Sequence, residues 1–216
     1  MKTCSITLAL ICIFLNFHSS YSQETNTNIE TKKEYTNVEE ALKNPEKVYR
    51  LNLGNQKISL TDNDWSKFIN LEYLSLQNDH LIEIPLAITN LKTLKILDIS
   101  GNDFKTLPIE FEKLVNLEEL YLNNEKNINL PKTLAVLAQL PNLKTLHLEN
   151  DNLSKLPEEI LAFKNLENLY LNHNKFKQIP QVKTLDHLKY LDLNDNKIEP
   201  KLQDMKNLNF GFKINF

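Results

Sequence analysis

The sequence predicts an α/β solenoid, with one parallel β-sheet on its concave side and short 3₁₀ or α-helical segments on its convex side. Two observations lead to this prediction. Residues 48–198 repeat a pattern of leucines about every 23 residues, and a fixed period of about 20 to 29 residues is typical of solenoids. Within each copy, an alternating strand pattern is followed by a short segment with apolar residues three positions apart.

Seven copies align on their first apolar residue. Successive copies start 23, 23, 23, 26, 23 and 22 residues apart. The starting residues are Val48, Leu71, Leu94, Leu117, Leu143, Leu166 and Leu188. One copy cannot bury its apolar face alone, so we expect stacked copies to share a continuous core.

The first half of each copy predicts a strand. In the third copy, repeat positions 1, 4, 6 and 11 are Leu94, Leu97, Ile99 and Phe104. Side chains at positions 4 and 6 point to the same face of a strand, which must be the core face. Positions 3, 5 and 7 therefore point to the opposite, concave surface. Each buried leucine contributes about 1.5–3 kcal/mol to stability.

The second half of each copy predicts a short helical return segment. It begins at a Leu-Pro or Ile-Pro step in five copies, and proline is well tolerated in the first turn of a helix. The proline positions are Pro85, Pro108, Pro131, Pro157 and Pro180. The fourth copy is three residues longer and rich in helix formers, so we expect a longer α-helix there. An insertion without function on the outer face is the simplest interpretation of this irregularity.

The repeated pattern LxxLxLxxNxLxxLPxxIxxLxx resembles the leucine-rich repeat family, and its Leu-Pro step resembles the repeats of Ras-suppressor-like and many bacterial proteins. The resemblance covers residues 48–198. It implies a horseshoe-shaped solenoid whose concave sheet is used mainly for protein recognition.

The resemblance also implies that the asparagine at position 9 connects neighbouring copies, because a carboxamide both donates and accepts hydrogen bonds. This asparagine is present as Asn102, Asn174 and Asn196. The other copies have Gln56, Asp79, Glu125 and Asp151. An ionised carboxylate cannot donate, so we expect a looser ladder around the second, fourth and fifth copies.

The N-terminal sequence predicts export. Residues 1–22 combine Lys2, an apolar run from Ile6 to Phe17 and small residues near Ser22, which is typical of a secretory signal peptide. A retained membrane anchor is the alternative. Both cysteines lie in this segment, so disulfide caps are excluded from the mature chain. The composition favours a bacterial protein that is periplasmic or secreted.

Three further segments flank the repeats. Residues 23–36 are polar and predict a disordered linker. Residues 37–47 predict a capping helix, with a capping-box pattern in which Thr36 precedes Glu39 or Asn37 precedes Glu40. Residues 199–216 predict a C-terminal cap that ends in a strand, because its last nine residues alternate between apolar and polar.

Charge and motifs restrict the function. The formal net charge is −3, and the absence of a basic stripe argues against nucleic acid as partner. The sequence has three glycines and no glycine-rich phosphate loop, and it lacks a Ser-His-Asp arrangement. His147 and Glu149 are of metal-ligand type, but no third ligand follows from the repeat. We therefore predict no enzyme activity, cofactor, metal or transmembrane segment after signal removal, and a monomer.

The concave positions predict a partner-binding patch. Strands lie about 4.8 Å apart, so the position-5 residues Tyr121, His147 and Tyr170 should form an aromatic row. Acidic residues and one more tyrosine surround it: Asp98, Glu119, Glu149, Tyr190 and Asp192. Rigid aromatic side chains in an acidic surround favour binding of a basic protein or peptide. The alternatives are that these residues only suit half-exposed strands, or that the chain is a structural or adhesive component that self-associates.

Overall fold

The computed structural model describes residues 32–125, 127–199 and 211–216, and in these residues nine parallel strands form a single sheet in sequence order. The strands are β1 (Glu34–Tyr35), β2 (Arg50–Asn52), β3 (Tyr73–Ser75), β4 (Ile96–Asp98), β5 (Glu119–Tyr121), β6 (Thr145–His147), β7 (Asn168–Tyr170), β8 (Tyr190–Asp192) and β9 (Lys213–Asn215). This is the predicted α/β solenoid with its parallel sheet.

The register of the sheet pairs identical repeat positions. Leu74 pairs with Leu97, and Leu97 pairs with Leu120. These position-4 leucines are 0% exposed and form one continuous core with the apolar residues at positions 1 and 6. The periodic leucines therefore determine which side of each strand faces the core, as the repeat predicts.

Three return segments are 3₁₀ helices, whereas the segment after Pro180 in the sixth copy forms turns instead of the predicted helix. The 3₁₀ helices cover Leu86–Asn90, Ile109–Lys113 and Glu158–Ala162, each directly after the proline of its copy. The fourth copy instead has a true α-helix, Leu130–Leu137, which confirms the expectation from its extra three residues. The first copy has a shorter α-helix, Asp62–Trp65, capped by Thr61. We name the α-helices α1 (Val38–Ala41), α2 (Asp62–Trp65) and α3 (Leu130–Leu137).

The N-terminal cap contains a strand that the sequence did not predict. The end of the expected linker forms β1, which pairs with β2 through Glu34 opposite Arg50. The two side chains form an ion pair of 2.6 Å. The linker prediction for 23–36 thus differs from the structure at residues 34–35, because pairing with the first repeat strand compensates the poor apolar content of this segment.

The predicted capping helix over 37–47 is shorter than expected. It comprises α1, whose N–H of Glu40 donates to the Asn37 side chain (2.9 Å), and a 3₁₀ turn at Pro45–Lys47. Asn37 rather than Thr36 is therefore the cap. The predicted signal peptide, 1–22, lies outside the described residues, as does most of the linker. The C-terminal strand is present as β9, paired with β8, while residues 200–210 are outside the described range.

Position 8 of every copy adopts a left-handed backbone conformation. The seven residues have φ between 53° and 66°. They are Asn55, Asn78, Gly101, Asn124, Asn150, His173 and Asp195. Asn, Gly, Asp and His tolerate this region better than other residues do. The sharp bend after each strand therefore explains the residue types at this position.

The position-9 side chains connect neighbouring copies, as the resemblance implies. Asn102 Oδ1 accepts a hydrogen bond from the N–H of Asp79 (3.2 Å), and Asn174 Oδ1 accepts from the N–H of Asp151 (3.0 Å). The Asn102 amide also donates to the carbonyl of Leu76 (2.9 Å). The asparagine side chain therefore joins its own copy to the preceding one, because it both accepts from and donates to the backbone of the preceding copy.

The carboxyl groups of the ladder are not simple ionised acceptors. Glu125 Oε1 accepts from the N–H of Asn102 (3.2 Å), and Asp151 Oδ1 accepts from the N–H of Glu125 (2.6 Å). Glu125 Oε2 is buried and has no hydrogen-bond partner within the described part of the chain. Burial raises the pKa of Glu125 to about 8 and that of Asp151 to about 7. The assumption of ionised carboxylates is therefore wrong for Glu125, which is mostly protonated at neutral pH.

Position 2 alternates in charge along the solenoid. From the second copy to the seventh it is Glu72, Lys95, Glu118, Lys144, Glu167 and Lys189. Neighbouring copies form ion pairs of 3.3, 3.3 and 2.7 Å at this position. Each pair is partly exposed and contributes at most about 1 kcal/mol, but the alternation places opposite charges beside each other at every step.

Candidate functional site

The structure brings all eight predicted partner-binding residues to the concave side of β4–β8 and the turns that follow these strands. Asp98, Tyr121, His147, Tyr170 and Asp192 occupy paired positions on five successive strands. Glu119 and Tyr190 lie two residues before this line, and Glu149 lies two residues after it. Because the strands are in register, the patch follows directly from the repeat frame.

The aromatic row is a continuous stack. The His147 ring lies 3.9 Å from the Tyr121 ring at an interplanar angle of 13°, and 4.3 Å from the Tyr170 ring at 3°. Tyr190 extends the stack with a tilted contact of 5.5 Å to Tyr170. These four side chains are called the aromatic row below. Because the rings stack face to face along the solenoid, the tyrosine faces that meet His147 are covered.

His147 is a buried centre of this patch and not an exposed contact residue. Its side chain is enclosed by the two tyrosines, and the residue is only 7% exposed. Nε2 lies 3.1 Å from Glu119 Oε1, and Nδ1 lies 3.2 Å from Glu149 Oε1. Two carboxylate neighbours require both ring nitrogens to carry hydrogen. Burial disfavours the imidazolium, but the hydrogen bonds to Glu119 and Glu149 outweigh it and raise the pKa of His147.

The tyrosine hydroxyls of the row stay protonated at physiological pH. Burial and the Glu119 carboxylate raise the pKa of Tyr121, and burial together with Glu119 raises that of Tyr170. Burial and Asp192 raise the pKa of Tyr190 to about 12, and its hydroxyl donates to Asp192 Oδ2 (3.2 Å). All three tyrosines are therefore neutral, half-buried side chains with a polar tip.

The four acidic residues differ in their surroundings. Glu119 and Glu149 hold His147, and Glu119 is 8% exposed. Asp98 and Asp192 accept hydrogen bonds from the backbone N–H two residues further on, at 3.0 and 2.9 Å. These four residues are called the acidic rim below. Four carboxylates against one imidazolium leave the patch negatively charged.

Cations of the chain itself occupy both ends of the concave surface. The guanidinium of Arg50 lies 4.1 Å from the centre of the Tyr73 ring and is held by Glu34. At the other end, Lys213 Nζ lies 5.7 Å from the Tyr190 ring. The sequence prediction did not include Arg50 or Tyr73 among the site residues. Both residues occupy position 3 of neighbouring copies, so the repeat frame places them side by side on the concave surface, and this placement could have identified them.

The described residues contain neither a candidate metal site nor a candidate membrane-spanning helix. No group of three or more His, Cys, Asp or Glu side chains among them could hold a metal ion. Both nitrogens of His147 are engaged by carboxylates, and His173 lies in a turn beside Asp195 (3.3 Å). No helix in the described ranges is long and apolar enough to cross a membrane.

Comparisons with known proteins agree with the repeat architecture. A leucine-rich repeat region matches residues 47–145, and a second leucine rich repeat family matches residues 141–198. Together the two matches span the seven repeats, and the chain belongs to the leucine-rich repeat family. Among curated proteins, none matches the chain.

Three solved structures are similar to the chain. A leucine-rich repeat protein of Leptospira interrogans is 31% identical over 81% of this chain, with a TM-score of 0.60, and this chain spans 50% of its length. TLR13 in complex with ssRNA13 is 28% identical over 73% of this chain, with a TM-score of 0.58, and the match covers 23% of the TLR13 chain. Toll of Drosophila, in complex with Spatzle, is 20% identical over 69% of this chain, with a TM-score of 0.59, and the match covers 20% of the Toll chain. The last similarity concerns the fold alone.

Proposed function

We propose that this chain is a non-enzymatic recognition module that binds a basic protein or peptide through the aromatic row and the acidic rim. The observation that carries the proposal is the stack of Tyr121, His147, Tyr170 and Tyr190, bordered by four carboxylates. The rings already pack against each other before any partner arrives. Little conformational entropy is therefore lost when they form an interface.

The comparisons support macromolecular recognition as the class of function. Leucine-rich repeat domains generally mediate protein interactions, and the similar structures include Toll with Spatzle and TLR13 with ssRNA13. For this chain the acidic rim favours a cationic protein over an RNA, because phosphates would meet carboxylates on the concave surface. The rim also accelerates the approach of a basic partner at low salt.

Export of the protein is part of the proposal. A secretory signal peptide at 1–22 would place the recognition surface in a periplasm or outside the cell. The N-terminal sequence of the mature protein, isolated from its native host, tests this directly. We expect it to begin near Gln23, and a chain that starts at Met1 in the membrane fraction would contradict export by cleavage.

Photo-crosslinking tests the binding face. A benzoyl-phenylalanine replaces Tyr190 on the concave side in one variant and the exposed Leu161 on the convex side in another. We expect crosslinks to one protein species from position 190 only. Asp98→Asn combined with Asp192→Asn should reduce this capture about tenfold. The matched control, Glu112→Gln with Glu158→Gln, changes the same charge in the convex 3₁₀ helices and should leave capture unchanged.

Two results would contradict the proposal. Equal crosslinking from positions 190 and 161 would mean that the concave face is not the recognition surface. A crosslinked species that is another copy of the chain, lost on deletion of residues 211–216, would favour the structural or adhesive alternative that acts by self-association.

A further inference from the structure

Strand β4 carries no aromatic side chain on the concave surface, although a tyrosine flanks it on each side at a different repeat position. This strand lies between Tyr73 on β3 and Tyr121 on β5, and it carries Ile96 opposite Tyr73 and Asp98 opposite Tyr121. Ile96 is 6% exposed and Ser75 is 0% exposed. The gap between the two tyrosines therefore has a buried floor of small or apolar groups, above which a single half-buried carboxylate stands.

A tyrosine lies on each side of the gap, and each tyrosine already contacts a cation of the chain on the neighbouring strand away from β4. Arg50 comes from β2 and lies 4.1 Å from the Tyr73 ring. His147 comes from β6 and stacks 3.9 Å from Tyr121. Both cations thus come from the strand next to their tyrosine that lies away from β4, the strand that carries Asp98.

The Asp98 carboxylate forms no ion pair with any residue that the structure describes, whereas Glu119 and Glu149 are both engaged by His147. It accepts a hydrogen bond from the N–H of Ser100 (3.0 Å) and a long one from Ser75 Oγ (3.5 Å). Burial, Glu34 and Asp98 raise the pKa of Tyr73, and Asp98 also contributes to that of Tyr121 after burial and Glu119. The Asp98 carboxylate therefore contributes to the raised pKa of the tyrosine hydroxyls on both sides of the gap.

We propose that this gap is a subsite for an arginine side chain of the partner, with the guanidinium between Tyr73 and Tyr121 and bonded to Asp98. The inference rests on the proposed function and names the group that the surface recognises. β3 and β5 are two strands apart, about 10 Å, and Tyr121 lies about 7 Å further along the strand direction than Tyr73, so their Cα atoms are about 12 Å apart. Two stacking contacts of the length that Arg50 makes with Tyr73, 4.1 Å, fit within this span.

The chain contains an internal example of the same recognition. Arg50 stacks on Tyr73 while its guanidinium donates to Glu34 at 2.6 Å. A planar guanidinium can stack on a ring and bond a carboxylate in one pose, whereas the compact ammonium of lysine does so less well. The subsite should therefore prefer arginine to lysine at equal charge.

Fluorescence anisotropy with labelled (Arg-Gly)4 and (Lys-Gly)4 peptides tests this preference on the full chain. We expect the arginine peptide to bind about fivefold or more tightly than the lysine peptide. Asp98→Asn should bring the two affinities to about the same value. The matched control Asp192→Asn should weaken both peptides while preserving their ratio, because Asp192 lies at the other end of the patch.

A measurement on the unaltered protein covers the case in which the Asp98 variant does not fold. With ¹³C-labelled tyrosine, the arginine peptide should shift the ring resonances of Tyr73 and Tyr121 but not those of Tyr35 and Tyr49. Equal affinity for the two peptides, an unchanged ratio in folded Asp98→Asn, or shifts confined to other tyrosines would each overturn the subsite.

Failure of the subsite and failure of the proposed function are distinguishable. A partner captured at position 190 without any arginine preference would remove the subsite and leave the recognition function standing. An arginine preference that depends on Asp98, with no protein captured at position 190, would keep the subsite and contradict the recognition function.

Discussion

At the scale of single residues, His147 shows how a surface position in a repeat can become part of a small second core. The repeat frame directs its side chain away from the leucine core, yet two tyrosines cover its faces and two glutamates engage its nitrogens. Aromatic stacking and charge-assisted hydrogen bonds each exceed an ordinary surface contact in strength. The position therefore serves to hold the patch together.

We predict that His147→Ala lowers the free energy of unfolding by about 3 kcal/mol, because Glu119 and Glu149 would remain desolvated without a donor. Urea denaturation at pH 6 measures this change. The control His173→Ala removes an exposed imidazole beside Asp195 and should change stability by less than about 0.5 kcal/mol. A loss of similar size in both variants would contradict the central role of His147.

The protonation of His147 also predicts that the free energy of unfolding depends on pH. The pKa of His147 is raised in the folded state above its ordinary value of 6.5, so its stabilising effect is complete below pH 6.5 and is lost as pH rises through the folded pKa. The difference in unfolding free energy between the wild type and His147→Ala should therefore decrease at alkaline pH. A difference that is constant from pH 6 to 10 would mean that the imidazole is not held as a cation.

At the scale of elements, the position-9 ladder combines amides with buried carboxyl groups. Asn102 and Asn174 donate and accept, whereas Glu125 accepts one hydrogen bond and keeps one oxygen without a partner in the described structure. Removing a charge from water costs more than the single hydrogen bond returns. The acid at this position therefore takes up a proton in the folded state.

We predict that Glu125→Gln stabilises the protein by about 1–3 kcal/mol at pH 9. The folded pKa of Glu125, about 8, lies above the ordinary value of 4.5. Its contribution is thus fully present below pH 4.5 and lost as pH rises through 8. Wild type and variant should therefore converge near pH 4, as measured by urea denaturation.

The control for this prediction is Glu112→Gln, an exposed residue in the 3₁₀ helix Ile109–Lys113. It should give parallel stability curves across the same pH range. A wild-type protein as stable at pH 9 as at pH 5 would contradict the protonation of Glu125. Asp151 has a folded pKa of about 7, so its contribution to stability is lost at lower pH than that of Glu125. Asp151 is present in both the wild type and the variant.

At the scale of the whole molecule, stability is distributed along the sheet because each copy contacts mainly its two neighbours. The two end strands, β1 and β9, have one strand neighbour each in the described sheet. Leu193 N–H donates to Asn215 of β9 (2.8 Å), as Leu76 N–H donates to Asp98 within the sheet (2.8 Å). The ends should therefore open before the middle does.

We predict that deletion of residues 213–216 exposes only the last copy. Hydrogen exchange followed by mass spectrometry should show loss of protection around Leu193 and unchanged protection around Leu76 and Leu120. The reason is that stability in a repeat array is a sum of local terms and interfaces between neighbours. A uniform loss of protection along the whole sheet would show instead that β9 is required for the fold as a unit.

The sequence by itself determined the repeat architecture, because a 23-residue leucine pattern has no other way to bury its apolar residues than by stacking strands in register. It also determined the contents of the concave row and the α-helix of the fourth copy. Only the tertiary structure decided which concave residues are buried. His147 and Glu119 are enclosed by neighbours from adjacent copies, about 23 to 28 residues away in sequence, and such contacts depend on rotamers that the periodicity does not specify.

The same reason explains β1 and the protonated Glu125. Strand β1 forms because the edge of the first repeat offers Arg50 and free backbone groups to a segment that would not be ordered alone. Glu125 is protonated because its oxygen is enclosed between two copies. A single copy contains neither environment, so the local sequence could not reveal these features.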